Sequence, residues 1–203
     1  MNTCIIMATT LEAKPFIERL NLKKYGKESF KQFSNDKILL VISGVGKTNA
    51  AIAATYCCKK YNPPYILNMG SAGATDSTHR LGSILHVYKI FEHDRPQFPF
   101  KKPHTHKPDR LKGFPTAKLA TGDRPVIDPN GRKIISEYAS LVDMEAAAIA
   151  QACKTFKTKC YVFKYVSDTP DHTGGADILK NMLEYREPFF DFFSSKVMPL
   201  LLK

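Results

Sequence analysis

Three carboxylate positions stand where the sequence predicts that strands and helices meet. Glu12 follows the first apolar run, Glu145 lies at the start of an alanine-rich segment, and Asp168 comes after the apolar run Tyr161–Val166. Enzymes with α/β folds place catalytic groups at such strand ends, where a carboxyl group can act as an acid or a base. The alternative is a purely structural role, as partners of helix dipoles or as helix caps.

Two glycine-rich segments also follow predicted strands. Gly44-Val45-Gly46-Lys47-Thr48 resembles a phosphate-binding loop, but that motif requires glycine five positions before Gly46, where this chain has Val41. The segment is therefore predicted to be a tight turn that lets a ligand approach the backbone. In the second segment, Asn68–Ala74, backbone amides and the Ser71 hydroxyl are available to a polar ligand. A packed turn explains that segment equally well.

Apolar runs and helical spacing alternate along the chain. Strands are predicted at Cys4–Ala8, Ile38–Ile42, Tyr65–Asn68, Ser83–Tyr88, Lys118–Thr121 and Tyr161–Val166. Helices are predicted at 11–20, Thr48–Lys60, Leu141–Cys153 and Ile178–Leu202, and the proline-rich stretch 92–118 is predicted to be a loop without regular structure. This order predicts an α/β layered fold with a largely parallel sheet.

The composition limits the class of protein. The length of 203 residues and the 43% hydrophobic content predict one globular domain, 1–203, and no apolar stretch is long enough for a membrane span. The N-terminal apolar run is also too short for a signal peptide. Five cysteines without Cys-x-x-Cys spacing indicate free thiols in a reducing compartment, so the protein is expected to be cytoplasmic.

The net charge of +11 raises the possibility of a nucleic-acid partner. The basic residues are, however, spread in pairs such as Lys23-Lys24 and Lys59-Lys60, and no recognition motif with interleaved aromatic residues is present. We therefore expect solvated basic faces, with neither nucleic acid nor membrane as a partner. His104 and His106, with His93 nearby, have the spacing of a metal pair but no supporting carboxylates, which favours solvent-exposed histidines and no metal.

Six segments in order resemble the purine nucleoside phosphorylase/nucleosidase superfamily, most closely its methylthioadenosine/S-adenosylhomocysteine nucleosidase branch. They are Ala8 with Glu12, Ser43–Lys47, Asn68–Gly73, Thr121-Gly122-Asp123, Val142–Ala146 and Val166-Ser167-Asp168. The resemblance spans nearly the whole chain. It implies a three-layer α/β/α sandwich around a central mixed, mostly parallel twisted sheet, and cleavage of the N-glycosidic bond of a purine nucleoside without metal or organic cofactor.

The resemblance also implies roles for individual residues. Asp168 would protonate purine N7 with help from Ser167, Glu145 would bind the ribose hydroxyls, and Glu12 would orient or deprotonate the attacking water. Further contacts with the substrate are expected from Ala8, Val45, Ser71, Met144 and Val126, the last within the base-holding backbone segment Arg124-Pro125-Val126. A carboxylate at position 168 suits a 6-amino purine such as that of methylthioadenosine or S-adenosylhomocysteine.

Departures from the family pattern leave alternatives open. Pro125 stands where the family usually has an aromatic residue against the purine, and Lys164 stands where nucleosidases often have arginine. Phosphorylases carry a Gly-Asp-Pro-x-Arg loop near the N-terminus, which is absent, so hydrolysis is favoured over phosphorolysis. A nucleoside-binding protein without activity is a further alternative. The resemblance implies a homodimer, and His93-Asp94 resembles a pair that the family has near the dimer contact.

Overall fold

The computed structural model describes residues 3–26, 30–96 and 104–201. Its strands are β1 (Thr3–Met7), β2 (Lys23–Lys24), β3 (Lys31–Ser34), β4 (Ile38–Ile42), β5 (Tyr65–Ala74), β6 (Ile84–Glu92), β7 (Thr105–His106), β8 (Thr116–Thr121), β9 (Leu141–Asp143) and β10 (Lys159–Asp168). Its helices are α1 (Thr10–Arg19), α2 (Lys47–Tyr61), α3 (Pro129–Ser136), α4 (Ala146–Thr155), α5 (Gly175–Phe192) and α6 (Met198–Leu201), with a π-helical turn at Phe193–Val197.

The strands form one mixed sheet in the order β10-β6-β8-β9-β5-β1-β4-β3-β2, with β7 paired to β6. Strand β10 also pairs with β5. The five strands β5, β10, β6, β8 and β9 therefore form a closed ring of paired strands within the sheet. The long pairings are parallel: β1 with β4, β5 with β10, and β6 with β8. Because β1 is also parallel to β5, the carboxyl ends of β1, β4, β5 and β10 open at one edge of the sheet, where ligands of such folds bind, whereas β6 and β8 run in the opposite direction.

Helices cover both faces of the sheet, and the predicted three-layer fold is confirmed. Alternate residues of β1 enter two separate cores, because successive side chains of a strand point to opposite faces. Cys4 and Ile6 pack with α2 and α4, whereas Ile5 and Met7 pack with α1, α5 and the π-helical turn. All five cysteines are buried free thiols, and no described helix has the length and apolar character that crossing a bilayer requires.

Two predicted boundaries at the carboxyl edge were wrong. Strand β5 was expected to stop before its glycines but continues through them to Ala74. The glycines let side chains approach the strand closely, because a Cβ on Gly70 would lie 2.9 Å from Glu12 Oε1 and one on Gly73 would overlap Asp168 Oδ2. The helix predicted over Leu141–Cys153 begins with β9 instead, because Leu141 and Val142 pair with β5.

The proline-rich stretch 92–118 contains regular structure at both ends. β6 extends to Glu92, β7 pairs with it, and β8 begins at Thr116, two residues before the predicted start. Residues 97–103 of this stretch, and Leu202 of the predicted closing helix, lie outside the described residues. The closing helix starts at Gly175, three residues before its predicted start at Ile178. The sequence analysis missed β2, β3 and α3, because each of these elements is short.

Candidate active site

The carboxyl edge of the sheet contains a cavity of about 220 Å³. Every residue to which the sequence analysis gave a catalytic or substrate-binding role lines it: Ala8, Glu12, Val45, Ser71, Val126, Met144, Glu145, Ser167 and Asp168. They come from the ends of β1, β4, β5, β9 and β10 and from the segment before α3. The fold thus brings together residues that are up to 160 positions apart in the sequence.

Glu12 is held by a helix-capping arrangement. Thr9 is the N-cap of α1, its hydroxyl accepts from the Glu12 amide, and Glu12 Oε2 accepts from the Thr9 amide at 3.1 Å and hydroxyl at 2.7 Å. The other carboxylate oxygen accepts from the Ser71 amide at 2.8 Å and hydroxyl at 2.9 Å. These bonds fix the buried carboxylate, while its two hydroxyl partners can rotate toward a ligand.

A buried ion pair lies beneath the cavity. Lys164 Nζ is 2.8 Å from Asp143 Oδ2, and both side chains are almost fully buried. Burial disfavours the ammonium ion, but the charges of Asp143 and Glu145 outweigh it and raise the pKa of Lys164. Asp143 also accepts from the Thr121 hydroxyl and from the Ala146 amide. Lys164 therefore supports, through Asp143, the start of α4, whose N-cap residue is Glu145.

Glu145 lines the cavity and contacts the turn before α2. Its Oε1 accepts from the Gly46 amide at 2.9 Å. Burial, together with the negative charge of Asp143, raises the pKa of Glu145 to about 7, although Lys164 opposes the shift. Near neutral pH this group changes between a carboxylate, which can stabilise a cationic sugar, and a neutral acid, which cannot.

The raised pKa of Glu145 predicts an acid limb in the pH profile. The resemblance implies cleavage of a purine nucleoside, and because the unliganded protein loses the Glu145 carboxylate as pH falls through about 7, we expect kcat/KM for that reaction to decline below this pH. Glu145→Gln should remove this limb and lower kcat/KM by about 10²-fold at pH 8, as expected for a lost electrostatic contact with the transition state. The measurement is the profile of both proteins from pH 5 to 9. An unchanged limb in the variant would assign the titration to another group.

Asp168, at the end of β10, is confined on three sides. Its Oδ1 accepts from the Ser167 hydroxyl at 2.8 Å, its Oδ2 accepts from Arg132 Nη2, and Gly73 leaves room for it on β5. Arg132 is 1% exposed and also donates through Nε to Val126 O at 3.0 Å and through Nη1 to Ala74 O. The guanidinium thus joins Asp168 to the segment before α3.

Comparison with known proteins places this arrangement in a family. The model of the Phosphorylase superfamily matches residues 2–136 and 114–192, which together cover most of the chain. The chain belongs to this superfamily. It is 32% identical to the 5′-methylthioadenosine/S-adenosylhomocysteine nucleosidase of Buchnera aphidicola, over 94% of this chain and 90% of the relative.

Solved structures of the superfamily share the fold. A Helicobacter pylori 5′-methylthioadenosine/S-adenosylhomocysteine nucleosidase with butyl-thio-DADMe-Immucillin-A superposes with a TM-score of 0.87 at 19% identity, covering 98% of this chain and 99% of that one. The futalosine hydrolase of Helicobacter pylori gives 0.86 at 18% identity, with 98% of both chains covered. The family prediction from sequence is therefore confirmed.

In the turn at Gly44–Thr48, carboxylates of the protein accept from two of the amides that could otherwise bind a phosphate. The Gly46 amide donates to Glu145, and the Lys47 amide donates to Asp123 Oδ1 at 2.7 Å. Lys47 Nζ pairs with Asp94 and lies 3.8 Å from Asp123 Oδ2. Carboxylates of the protein itself thus occupy the start of α2, in agreement with the interpretation of this segment as a turn.

The histidines do not gather around a common centre. His106 Nε2 is 2.9 Å from Glu92 Oε1 and is half-buried, so its predicted solvent exposure was wrong, whereas His104 is exposed. His93 packs against Gly122, and its buried Nε2 has no partner among the described residues. Burial lowers the pKa of His93. Within residues 3–26, 30–96 and 104–201 no cluster of His, Cys, Asp and Glu could hold a metal ion.

Sequence reasoning missed several residues that line the cavity. Thr9 and Arg132 add polar groups to the lining, and Ile178 and Met182 of α5 add apolar side chains. Thr9 had a recognisable signal, since Thr followed three residues later by Glu is a capping box. Arg132 had none, because a single arginine in a short polar segment is indistinguishable from a surface residue.

Proposed function

We propose that this chain is a nucleosidase that hydrolyses the N-glycosidic bond of a purine nucleoside, with a 6-amino purine such as that of methylthioadenosine or S-adenosylhomocysteine as its substrate base. One observation carries the proposal: three buried carboxylates, Glu12, Glu145 and Asp168, converge on one cavity that also has an apolar wall. Cleavage of this bond needs an acid at the base and negative charge at the sugar. The nucleosidase relatives support the same activity.

We propose one step of the reaction for each carboxylate, in agreement with the roles that the family resemblance implies. Asp168, in its protonated form, gives its proton to purine N7 and is left as the carboxylate partner of Arg132, so the C1′–N9 bonding electrons can leave with the base as a neutral purine. The Glu145 carboxylate binds ribose hydroxyls and stabilises the positive charge that develops on the sugar. Glu12 takes a proton from water while the water oxygen forms the new bond to C1′. Apolar Met144 packs on the ribose, and the backbone around Val126 holds the base.

Hydrolysis is favoured over phosphorolysis by the environment of Glu12. The chain between β1 and α1 is closed by the capping box of Thr9 and Glu12, and it carries neither glycine nor arginine. The arginines that line the cavity are Arg124 and Arg132, and Arg132 is already paired with Asp168. A phosphate ion would therefore meet carboxylates at the nucleophile position, which disfavours its binding.

We further propose that residues 1–203 act as a single domain in a cytoplasmic homodimer. Two large apolar side chains that line the cavity are about half exposed, Val45 at 50% and Ile127 at 51%. Such side chains at the mouth of a site are suited to contact with another protein surface. Sedimentation of the purified protein at several concentrations tests the dimer. The five free thiols support a reducing compartment.

Base release tests the proposed reaction directly. The protein is incubated with methylthioadenosine, S-adenosylhomocysteine, 6-amino-6-deoxyfutalosine, adenosine and inosine, each with and without phosphate, and free base is quantified by chromatography. We expect release without phosphate and a reducing sugar as the second product. Release that requires phosphate would make the protein a phosphorylase. No release from any substrate, combined with measurable nucleoside binding, would indicate a binding protein without activity.

A further inference from the structure

The pair formed by Arg132 and Asp168 gives the cavity two kinds of hydrogen-bonding group side by side. Both side chains line the cavity. The Asp168 carboxylate is an acceptor, and the guanidinium has five N–H donors, of which Val126 O, Ala74 O and Asp168 Oδ2 engage three. The remaining two N–H groups, one on each Nη atom, have no acceptor among the described residues.

The position of the pair is fixed, so the two groups stay together. Asp168 is confined by Gly73, where even a Cβ would overlap Oδ2, and by the hydroxyl of Ser167. Arg132 is 1% exposed and bridges two backbone carbonyls, those of Ala74 and Val126. A guanidinium with several planar contacts of this kind loses little further entropy when it donates to a ligand.

Purines with a 6-amino group and purines with a 6-oxo group carry different hydrogen-bonding groups beside N7. A 6-amino purine shows an N7 acceptor beside an amino donor, whereas a 6-oxo purine shows two adjacent acceptors, N7 and O6. A carboxylate alone would place its negative oxygens against O6 and would reject the 6-oxo base. An arginine is the side chain best suited to O6 and N7, because its donors form a planar fork.

We propose that Arg132 is a specificity-determining residue that enables the cavity to accept 6-oxo purine nucleosides as well as 6-amino ones. The inference rests on the proposed function, since it concerns the base of the same substrate. With a 6-amino base the Asp168 carboxyl group makes the contacts. With a 6-oxo base a spare N–H of Arg132 donates to O6, while Asp168 retains its role toward N7.

Matched substrates and variants test this inference. The substrates are 5′-methylthioadenosine and 5′-methylthioinosine, which differ only at position 6 of the purine. The variants are Arg132→Met, which removes the donors, and Lys133→Met, which removes the same charge from the exposed neighbouring position on α3. Thermal unfolding of each variant shows whether it is folded at the assay temperature, and Arg132→Lys provides a second, charge-conserving variant.

We expect the unsubstituted protein to cleave both nucleosides with kcat/KM values within about tenfold of each other. Arg132→Met should lower the ratio of inosine-type to adenosine-type kcat/KM by about tenfold or more, whereas Lys133→Met should leave that ratio unchanged. Equal loss of both substrates in Arg132→Met would mean that Arg132 only positions Asp168, and would overturn the inference. Failure of the unsubstituted protein to cleave the inosine-type substrate, while it cleaves the other, would also overturn it.

Binding of free bases separates this inference from the proposed reaction. Calorimetry with adenine and hypoxanthine needs no turnover. We expect both bases to bind the unsubstituted protein and hypoxanthine to lose about tenfold more affinity than adenine in Arg132→Met. If no nucleoside is cleaved but this selective loss is found, the proposed function fails and the inference about the base stands. If the affinities fall together, the inference fails whatever the activity.

Discussion

Asp168→Asn is expected to lower kcat for purine nucleoside cleavage by about 10³-fold, the size of effect expected for a lost general acid. Asparagine keeps the shape of the side chain and an oxygen that can accept from Arg132, but it cannot give a proton to N7. Substrate binding should change much less, because the cavity walls remain. Steady-state kcat and KM for the best substrate of the panel measure this difference.

The variant also leaves the Arg132 cation without its anionic partner in a buried position. Breaking such a pair from one side destabilises a protein by about 3–5 kcal/mol, so a loss of activity could reflect unfolding. A substrate with an activated leaving group resolves this. 4-Nitrophenyl β-D-ribofuranoside needs no protonation of its leaving group, so Asp168→Asn should hydrolyse it at a rate close to that of the unsubstituted protein.

Glu145→Gln provides the matched control, because the sugar cation develops with either leaving group. It should lose activity toward both the purine nucleoside and the nitrophenyl riboside. If Asp168→Asn loses both activities equally while still folded, Asp168 is not the acid. Full purine nucleoside activity in Asp168→Asn would exclude the proposed mechanism.

The carboxylates of this site were predictable because each stands in a local pattern at the end of an element. Glu12 follows β1, and Asp168 ends a strand of apolar residues, so a parallel sheet necessarily brings them to one edge. The local structure around Glu145 was harder to predict from the sequence. Its segment is rich in alanine and reads as one helix, but pairing of Leu141 and Val142 with β5 makes the first three residues a strand. Tertiary pairing overrides local propensity in such cases.

Arg132 shows what a single sequence does not reveal. Its ion pair with Asp168 joins residues 36 positions apart, and its other partners are carbonyl oxygens of Ala74 and Val126. Every residue has a backbone carbonyl, so the sequence does not indicate which carbonyl oxygens accept from Arg132. Only the folded chain shows that α3 directs this side chain inward while Lys133 and Ile134 remain exposed.

The second large effect is expected at Glu12. Glu12→Gln should lower kcat for hydrolysis by about 10²–10³-fold with little change in KM, because an amide cannot take a proton from the attacking water. The amide NH₂ would also face a donor, since the carboxylate accepts from the Thr9 amide on one side and the Ser71 amide on the other. We expect this conflict to reduce stability by about 1–3 kcal/mol, measurable by denaturant unfolding.

A nucleophile that needs no base distinguishes lost chemistry from a distorted site. Azide is already anionic, and in Glu12→Gln it no longer meets a carboxylate charge at the water position. Added azide should therefore restore cleavage in the variant and yield the glycosyl azide in place of the free sugar, whereas the unsubstituted protein should gain little. A site damaged through the capping box of Thr9 would not recover in this way. If azide has no effect while KM rises strongly, Glu12 holds the ribose rather than activating water.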